Sequence, residues 1–542
     1  MSSLRRIGPA LLALLFLNAL LSFRNWWPTP GIIPDAKLAP GFVGLWLILL
    51  LVVAWRGTLS KRVAGALATG YLLLIVLRYA DVTVPALFGR ALSLYWDMPQ
   101  LPRFVWVAVT GGAGWPAMAG LGVLSLILWG LYRLLQGAIN VVAREAVPYA
   151  LNARWTWIAT AGALALVVAN LAGVRATWPW VSKPVLPAYI QQVKLMAAAA
   201  SPDYLAQALP AKSVVDDAMA AINPRALAGL GNRDVYMVLL ESVGAVVYDK
   251  RATPVLGPAR ERFAKDIAAA GLQVVSAFVR SPTFGGGTDL AHVSLLSGID
   301  LSDPRRHDLL LMTTRPTLIS VFRSHGYQTF GLYSSVAWEW PERAWYGYDV
   351  YIEARNLDYR GPSFGWWNIP DQFAFARFEQ QHPRTAASPP RFVFAPTIST
   401  HVPFGPVPPY QPDWQRLLSD QPFDPAAAAR ALEVQVNWLD MTPAYLRLVD
   451  YTYRWLGGYL RQPRSRDTVY VIVGDHQPTA NVTGEGASWD VPVHILASDP
   501  QLLARFTAQG FVAGLEPPRR SLGGLHDLTG MLLQAFGPPR PQ

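Results

Sequence analysis

The first 174 residues contain five long apolar segments, and this feature constrains the fold more than any other. A helix that crosses a bilayer needs roughly 17–25 mainly apolar residues. The second and third segments reach that length only if their helices extend by a turn. We therefore predict an N-terminal bundle of five transmembrane helices, over Ile7–Phe23, Gly41–Trp55, Val63–Leu77, Ala117–Leu135 and Trp155–Val174.

The charges indicate how this bundle is oriented. Only 15% of the 542 residues are charged, below the roughly 25% of a typical soluble domain. Residues 1–174 hold 13 lysines and arginines against four acidic residues, and with the N-terminus inside, eight of these bases lie in cytoplasmic loops and five outside. This excess indicates membrane orientation and not nucleic-acid binding. An odd number of spans then exports the rest of the chain to the periplasmic side of the inner membrane.

Two further segments of the N-terminal half have their own predicted roles. Met1–Phe23 resembles a signal peptide, but the sequence that follows it, Arg24-Asn-Trp-Trp-Pro, is a poor cleavage site, so we expect an uncleaved span. The aromatic-rich segment Asp81–Gly114 is predicted to be interfacial, either sealing the bundle or guiding lipid. The chain has no cysteine, which excludes disulfides, thiolate metal ligands and a cysteine nucleophile.

The pattern changes at Asp234, where short apolar runs begin to alternate with amphipathic stretches. This alternation predicts an α/β domain with a mixed central sheet covered by helices on both faces. We therefore divide the chain into a transmembrane domain (1–174), a juxtamembrane helical linker (175–232) and an exported α/β domain (233–542). The predicted strands are Val235–Leu240, Gln273–Val279, Gln328–Tyr333, Arg391–Ile398, Thr468–Val473 and Val491–Leu496, and the predicted helices include Pro316–His325, Asp371–Gln381, Pro443–Gln462 and Leu525–Phe536.

Chemically active residues follow four of these strands. Active sites in open α/β sheets gather beyond the carboxyl ends of the strands. Glu241 follows the first strand, His401 follows the fourth, and Asp475 and His476 follow the fifth. The second strand leads through three glycines to Thr288 at the start of a predicted helix. Oxygen and nitrogen ligands of this kind suit a hard divalent cation.

Thr288 has two interpretations from the residues alone. Threonine is a favoured N-cap, and the glycines before it then simply form a turn. Alternatively, the helix N-terminus holds a phosphate and the hydroxyl of Thr288 is a nucleophile, activated by a metal or a base.

The order of these motifs resembles one family. Val-Leu-Leu-Glu241-Ser242, Gly-Gly-Gly-Thr288-Asp289, Ile-Ser-Thr-His401-Val-Pro-Phe and Val-Ile-Val-Gly-Asp475-His476 are similar to the motifs of membrane-anchored members of the alkaline phosphatase/sulfatase superfamily. These members include lipoteichoic acid synthases, phosphoglycerol transferases and phosphoethanolamine transferases, which have about five N-terminal spans before an exported α/β domain. At Thr288-Asp-Leu-Ala-His292 the chain has no Pro or Arg in the places that the C/S-x-P-x-R signature of formylglycine sulfatases requires.

The resemblance implies roles for individual residues. Glu241, Thr288, Asp475 and His476 are expected to ligate one divalent metal ion, Mn²⁺ or Zn²⁺, with Thr288 also the nucleophile. His401 is expected to contact the phosphoryl oxygens or the leaving group. The segment Trp338-Glu-Trp340-Pro-Glu-Arg343 occupies the region of the family's substrate-phosphate element. Arg343 and Trp340 are therefore expected to bind the substrate, and Arg343 to offset charge on the phosphoryl oxygens.

The function that follows is an expectation with one main alternative. We expect a metal-dependent transfer of phosphoglycerol or phosphoethanolamine from a membrane phospholipid, through Thr288, to an envelope glycan or glycolipid. The alternative is a membrane-anchored hydrolase of phosphomonoesters, phosphodiesters or sulfate esters, in which water is the acceptor. Acceptor choice depends on loops such as Pro403–Asp424.

Overall fold

The chain divides into two compact units. A computed structural model describes residues 2–102, 114–152, 154–171, 180–199, 207–220, 226–334, 336, 342–364, 369–385 and 387–538. The N-terminal unit comprises Met1–Leu87 and Ala91–Ser201, and the C-terminal unit comprises Phe88–Arg90 and Pro202–Gln542.

The N-terminal unit is helical. Its buried cluster includes Leu17, Leu49, Ala68 and Leu135, so side chains from four of the predicted spans share one core. A short antiparallel ribbon joins Arg24–Asn25 to Ile32–Ile33. The helices are Ser2–Ala19, Pro40–Arg56, Lys61–Phe88, Leu94–Asp97, Gly114–Val141, Val147–Asn152, Arg154–Leu171 and Leu186–Ala199, with a π-helical turn at Val142–Ala146.

The N-terminal unit contains two helical stretches that are long and apolar enough to cross a membrane. Among the described residues they are Lys61–Phe88 and Met118–Ala146, and Gly8–Ala19 and Pro40–Arg56 are shorter apolar helices. The third predicted span, Val63–Leu77, lies in a helix that continues through Asp81 to Phe88, so part of the predicted interfacial segment is helical. A five-span bundle therefore stays a prediction.

The C-terminal unit is built on a nine-stranded mixed sheet. The strands are β1 Asp234–Leu240, β2 Gln273–Arg280, β3 Gln328–Tyr333, β4 Val350–Glu353, β5 Arg391–Pro396, β6 Thr468–Gly474, β7 Asp490–Ala497, β8 Val512–Ala513 and β9 Ser521–Gly524. Their order in the sheet is β8-β2-β7-β6-β1-β5-β3-β4, with β9 paired to β2. Strands β6, β1, β5, β3 and β4 are parallel, whereas β7 is antiparallel to both β6 and β2.

Both faces of the sheet are buried, which explains why its central strands are continuous apolar runs. Every residue of β1 and of β6 is buried. Tyr236 and Val238 of β1 pack on one face in a core shared with three helices, Thr253–Ala269, Asp371–Gln381 and Thr442–Leu460. On β5, Phe392 lies outside that core and stacks on Phe322 of a helix over the other face, with ring centroids 4.1 Å apart. The predicted mixed α/β sheet covered by helices is confirmed.

The remaining helices of this unit are short, and several have clear sequence causes. Asp303, Asp424 and Asp499 cap three of them, each followed directly by proline at the first helical position. The helices not named above are Val214–Ala220, Thr288–Ser297, Pro304–Leu311, Leu318–Ser324, Arg343–Tyr346, Pro425–Leu432, Ala480–Thr483, Pro500–Thr507 and Leu525–Phe536.

The sheet brings four strand ends to one edge. Because β7 is antiparallel to both β6 and β2, β2 runs in the same direction as β6, β1 and β5. The segments after these four strands therefore leave the sheet on the same side. Glu241, the loop to Thr288, His401 and Asp475 all belong to these segments.

Candidate active site

The register of two central strands places the first two acidic residues side by side. Leu240 of β1 pairs with Gly474 of β6, so Glu241 and Asp475 follow at the same level. The Ser242 backbone N–H donates to Asp475 Oδ1 over 2.8 Å, and the Asp475 N–H donates to the Leu240 carbonyl. Asp475 is therefore fixed by the backbone of the neighbouring strand.

The glycine loop delivers Thr288 to this edge. Gly285, Gly286 and Gly287 all have positive φ, at 65°, 136° and 80°, which residues with a Cβ rarely adopt. Gly287 is the N-cap, and Thr288 is the first helical residue. The Thr288 hydroxyl lies 3.2 Å from Glu241 Oε2 and 3.2 Å from His476 Nε2. The capping interpretation of Thr288 is therefore wrong. Gly287 holds the N-cap position, and the Thr288 side chain contacts two residues that follow strands, Glu241 and His476.

Glu241, Asp475 and His476 form a compact buried cluster. One potential ligand atom from each residue lies within 4.8 Å of the other two. His476 Nε2 is 3.6 Å from Glu241 Oε1 and 3.5 Å from Asp475 Oδ2. All three side chains are at most 5% exposed. This is the arrangement that a small cation between the three groups requires.

The ring of His476 is oriented as a metal ligand. Its Nδ1 lies 2.8 Å from the Gln477 carbonyl, which can only accept, so Nδ1 carries the proton. Burial lowers the pKa of His476, which keeps the imidazole neutral. The lone pair of Nε2 therefore points at Thr288 and the two carboxylates.

The two carboxylates also fit a cation. Asp475 Oδ1 accepts from two backbone N–H groups, whereas the buried Oδ2 receives no hydrogen bond from the described residues. Burial and the neighbouring Glu241 raise the pKa of Asp475 well above its ordinary value. Burial raises the pKa of Glu241, but its polar surroundings, which include the Ser242 hydroxyl that donates to it, outweigh burial and lower that pKa. Two buried carboxylates with one orphaned oxygen fit a divalent cation, which would compensate both charges.

Residues that the sequence analysis missed support this cluster. The Glu241 N–H donates to Thr397 Oγ1 over 3.0 Å, and the Thr400 hydroxyl donates to the Glu241 carbonyl. The Ser242 hydroxyl donates to Glu241 Oε1 over 2.8 Å, and the Tyr445 hydroxyl donates to the Ser242 carbonyl. The position of Thr397 and Thr400 after β5 could have indicated them, but nothing in the sequence links Tyr445 to Ser242.

Asp371 holds the loop after β5. Its Oδ1 accepts from the Ile398 N–H at 2.8 Å and its Oδ2 from the Ser399 N–H at 2.9 Å. Burial raises the pKa of Asp371 to about 6. This buried carboxylate therefore fixes the start of the loop that carries Thr400 and His401.

His401 lies at the edge of the cluster. It is half-buried, and its Nδ1 donates to the Val402 carbonyl over 2.6 Å. It is close enough to Glu241 and His476 to lower the pKa of each. The structure thus brings His401 near the cluster without a described bond to Thr288.

Arg343 and Trp340 stand apart from the other predicted site residues. Arg343 begins a short helix, donates to Glu353 Oε1 over 3.2 Å and lies over the Tyr351 ring at 5.0 Å. Its side chain is 48% exposed, and the contacts described for it do not include the buried cluster. Trp340 lies outside the described residues.

Two other histidines, His292 and His494, are buried in the C-terminal unit among residues outside the cluster of Glu241, Asp475 and His476. His292 packs edge-on against Tyr333 and Phe394, and His494 lies 2.6 Å from Ser276 Oγ and 3.1 Å from the Tyr248 hydroxyl. Burial lowers the pKa of both to about 3. Both rings are therefore neutral across the physiological range.

The chain carries a recognisable family domain. Residues 238–495, which contain every motif of the site, match the family model for sulfatases. The resemblance to the alkaline phosphatase/sulfatase superfamily is therefore confirmed over these residues. No curated protein sequence matches the chain.

Several solved structures are similar to this chain. One is a protein in the alkaline phosphatase superfamily from Vibrio parahaemolyticus (17% identity, TM-score 0.39, 56% of this chain and 66% of that chain). The lipoteichoic acid synthase LtaP from Listeria monocytogenes follows at 13% identity and TM-score 0.36, over 60% and 79% of the two chains. The phosphoglycerol transferase GacH from Streptococcus pyogenes, in complex with sn-glycerol-1-phosphate, has 10% identity and TM-score 0.35, over 64% and 92%. The chain spans just under two thirds of the Vibrio protein.

Proposed function

We propose that the protein is a metal-dependent phosphotransferase that moves a phosphoglycerol or phosphoethanolamine group from a membrane phospholipid to an envelope glycan or glycolipid. The observation that carries this proposal is the position of the Thr288 hydroxyl. It lies 3.2 Å from both Glu241 and His476, at the start of a helix, and these two residues belong to the cluster that contains the orphaned oxygen of Asp475. A hydroxyl in this position suits a nucleophile better than a structural cap.

Glu241, Asp475, His476 and the Thr288 oxygen would hold one divalent cation. When bound, the ion supplies Lewis acidity toward a phosphoryl oxygen and lowers the pKa of the Thr288 hydroxyl. Three oxygen donors and one imidazole nitrogen suit either Mn²⁺ or Zn²⁺.

The first half of the reaction forms a covalent adduct on Thr288. Its Oγ1 attacks the phosphorus of the donor lipid, and the bond from phosphorus to the diacylglycerol oxygen breaks. The hydroxyl of Thr288 gives up one proton, and the departing diacylglycerol oxygen takes one up, so charge balances. Gly286, two residues before Thr288, faces open space and leaves room for the bulky phosphodiester, and the helix start presents N–H donors to its oxygens.

The second half restores the enzyme. A sugar hydroxyl attacks the phosphorus and gives up its proton, the bond from phosphorus to Thr288 Oγ1 breaks, and Thr288 Oγ1 takes up a proton, so charge balances and the hydroxyl is regenerated. His401 contacts the phosphoryl oxygens or the leaving group from the edge of the cluster. Arg343 and Trp340 form a substrate-binding element, in which Arg343 must exchange its ion pair with Glu353 for the substrate phosphate.

The apolar helices of the N-terminal unit place this chemistry at a membrane. We propose that they anchor the protein in the inner membrane with the catalytic domain on the periplasmic side. Lys61–Phe88 and Met118–Ala146 support this anchoring by their length and composition. Anchoring confines the enzyme and its lipid donor to one surface, which raises their effective concentration.

The test measures donor turnover by the detergent-purified protein. Phosphatidylglycerol or phosphatidylethanolamine is supplied without acceptor, and diacylglycerol release is followed. Thr288→Ala should lower the rate by at least about a thousandfold, because no hydroxyl remains to attack, while Thr288→Ser retains measurable activity. Thr507→Ala, at an exposed threonine, is the matched control.

Parental turnover by Thr288→Ala would refute the nucleophile assignment. Adding a glycan acceptor then separates transferase from hydrolase. A transferase yields a phosphorylated glycan, whereas a hydrolase releases free head-group phosphate at the same rate with or without glycan. Mass spectrometry of lipids and glycans from a deletion strain identifies the donor product and the acceptor together.

A further inference from the structure

A second cleft lies at the opposite end of the sheet from the candidate active site. It has a volume of about 620 Å³ and is lined in part by Asp234, the first residue of β1. Glu241 directly follows the last residue of that strand. At about 3.3 Å per residue, the cleft is therefore roughly 20 Å from the Glu241 cluster. The volume is in the range of clefts that hold small organic ligands.

Aromatic rings and amide groups line the cleft. Trp414 and Tyr459 form part of its wall, with ring centroids 5.9 Å apart. Trp414 is half-buried, so part of its ring stays accessible. Three glutamines, Gln380, Gln415 and Gln462, also line the cleft, and each amide offers both donors and an acceptor. An apolar ring face beside several amides suits a sugar, which has apolar C–H faces and a rim of hydroxyl groups.

The charged residues of the cleft leave one positive charge uncompensated. Arg384 pairs with Asp234 over 2.7 Å, and Arg464 pairs with Glu379 over 2.8 Å. Arg466 also lines the cleft, and its described hydrogen bonds go only to neutral oxygens, two backbone carbonyls and an asparagine amide. Three guanidinium groups therefore face two carboxylates. A guanidinium whose hydrogen bonds go only to neutral oxygens, in a cleft with more guanidinium groups than carboxylates, is a strong site for a phosphate group.

We propose that this cleft binds a phosphorylated saccharide, with the sugar on Trp414 and the phosphate on Arg466. The assignment goes beyond the proposed function and does not depend on it, because none of these residues belongs to the Thr288 cluster. A glycan that carries phosphate groups could bind here with one unit while another unit of the same chain reaches the active site.

The experiment is calorimetric titration of the detergent-purified full chain with glucose 6-phosphate, glucose and inorganic phosphate, each up to ~10 mM and in the presence of EDTA. We expect glucose 6-phosphate to bind more tightly than either fragment. Arg466→Gln and Trp414→Leu should each weaken its binding by about tenfold, because each removes one of the two contacts. Arg360→Gln, at an arginine that is 68% exposed and outside the cleft, should leave it unchanged.

Melting temperatures check that both variants fold. If Arg466→Gln does not fold, Trp414→Leu alone tests the proposal. Unchanged binding of glucose 6-phosphate in the folded variants would overturn the proposal. Two other results would also overturn the proposal: inorganic phosphate binds as tightly as glucose 6-phosphate, or glucose 6-phosphate does not bind. Thr288→Ala should bind it like the parent, so a failure of the nucleophile assignment remains distinguishable from a failure of this one.

Discussion

Asp475→Asn is expected to have opposite effects on stability in the absence and presence of metal. The substitution preserves the shape of the side chain. Its remaining oxygen can still accept from the Ser242 and His476 N–H groups, as Oδ1 does now. An NH₂ group replaces the orphaned Oδ2, so the buried repulsion with Glu241 disappears together with a charged metal ligand.

The distance between the two acidic groups sets the size of the effect. Their ligand atoms lie within 4.8 Å. Two unit charges at that separation repel by about 3.5 kcal/mol at an effective dielectric constant of about 20. Burial and Glu241 raise the pKa of Asp475 in the folded state. The metal-free parent protein is therefore not destabilised by Asp475 at low pH, and its free energy of unfolding falls as the pH rises toward that raised pKa. Without metal, the stability that Asp475→Asn gains over the parent should therefore be largest at alkaline pH and almost zero near pH ~4.

Thermal unfolding of the purified protein measures both effects. In EDTA at about pH 8, Asp475→Asn should melt several degrees above the parent, and the difference should shrink at about pH 5. Mn²⁺ or Zn²⁺ at a hundred times its Kd should stabilise the parent by about 2.7 kcal/mol and the variant far less. Asp420→Asn, at a side chain that is 91% exposed, should follow the parent throughout. Equal stabilisation of parent and Asp475→Asn by metal would refute the reasoning.

Three further predictions concern the supports of the site and its orientation. Asp371→Asn removes one of the two hydrogen bonds that hold the loop after β5, so it should cost about 1–3 kcal/mol in thermal unfolding and lower kcat more than KM; an unchanged kcat would remove Asp371 from the site's support. Tyr445→Phe leaves the buried Ser242 carbonyl without its hydroxyl donor, so it should cost about 1 kcal/mol in the same assay, and a neutral result would contradict that. A phosphatase reporter fused after Ser201 should be active and one fused after Arg144 inactive, whereas the reverse pattern would overturn the predicted topology.

The central strands could be predicted from the sequence, because a sheet that is buried on both faces has strands that are continuous apolar runs. Gln328–Tyr333 has the predicted bounds, and the strands beginning at Asp234 and Thr468 differ from prediction only at their ends. Val350–Glu353 was missed because it is only four residues long and partly exposed. The length of the helix that contains the third predicted span was underestimated, because charged residues follow the apolar run of that span. In the folded chain Arg78 donates to a backbone carbonyl and pairs with Asp81 within the same helix.

The candidate site was predictable only where its residues follow strands. Glu241, Asp475 and His476 were indicated by that rule, and the structure brings them together with Thr288. The contact of the Thr288 hydroxyl with Glu241 joins residues 47 positions apart, so local sequence could not distinguish it from capping. Asp371 could not be identified at all, because its partners belong to a loop 27 and 28 residues further along the chain.

The most direct test of the account is a search for the covalent adduct on Thr288. The purified protein is incubated with the phospholipid donor alone, denatured in acid and digested, and the peptide that contains Thr288 is examined by mass spectrometry. The account predicts a mass increase of one head-group phosphate on Thr288, which disappears when the glycan acceptor is added before denaturation. Diacylglycerol release with an unmodified Thr288 peptide at every time point would contradict it.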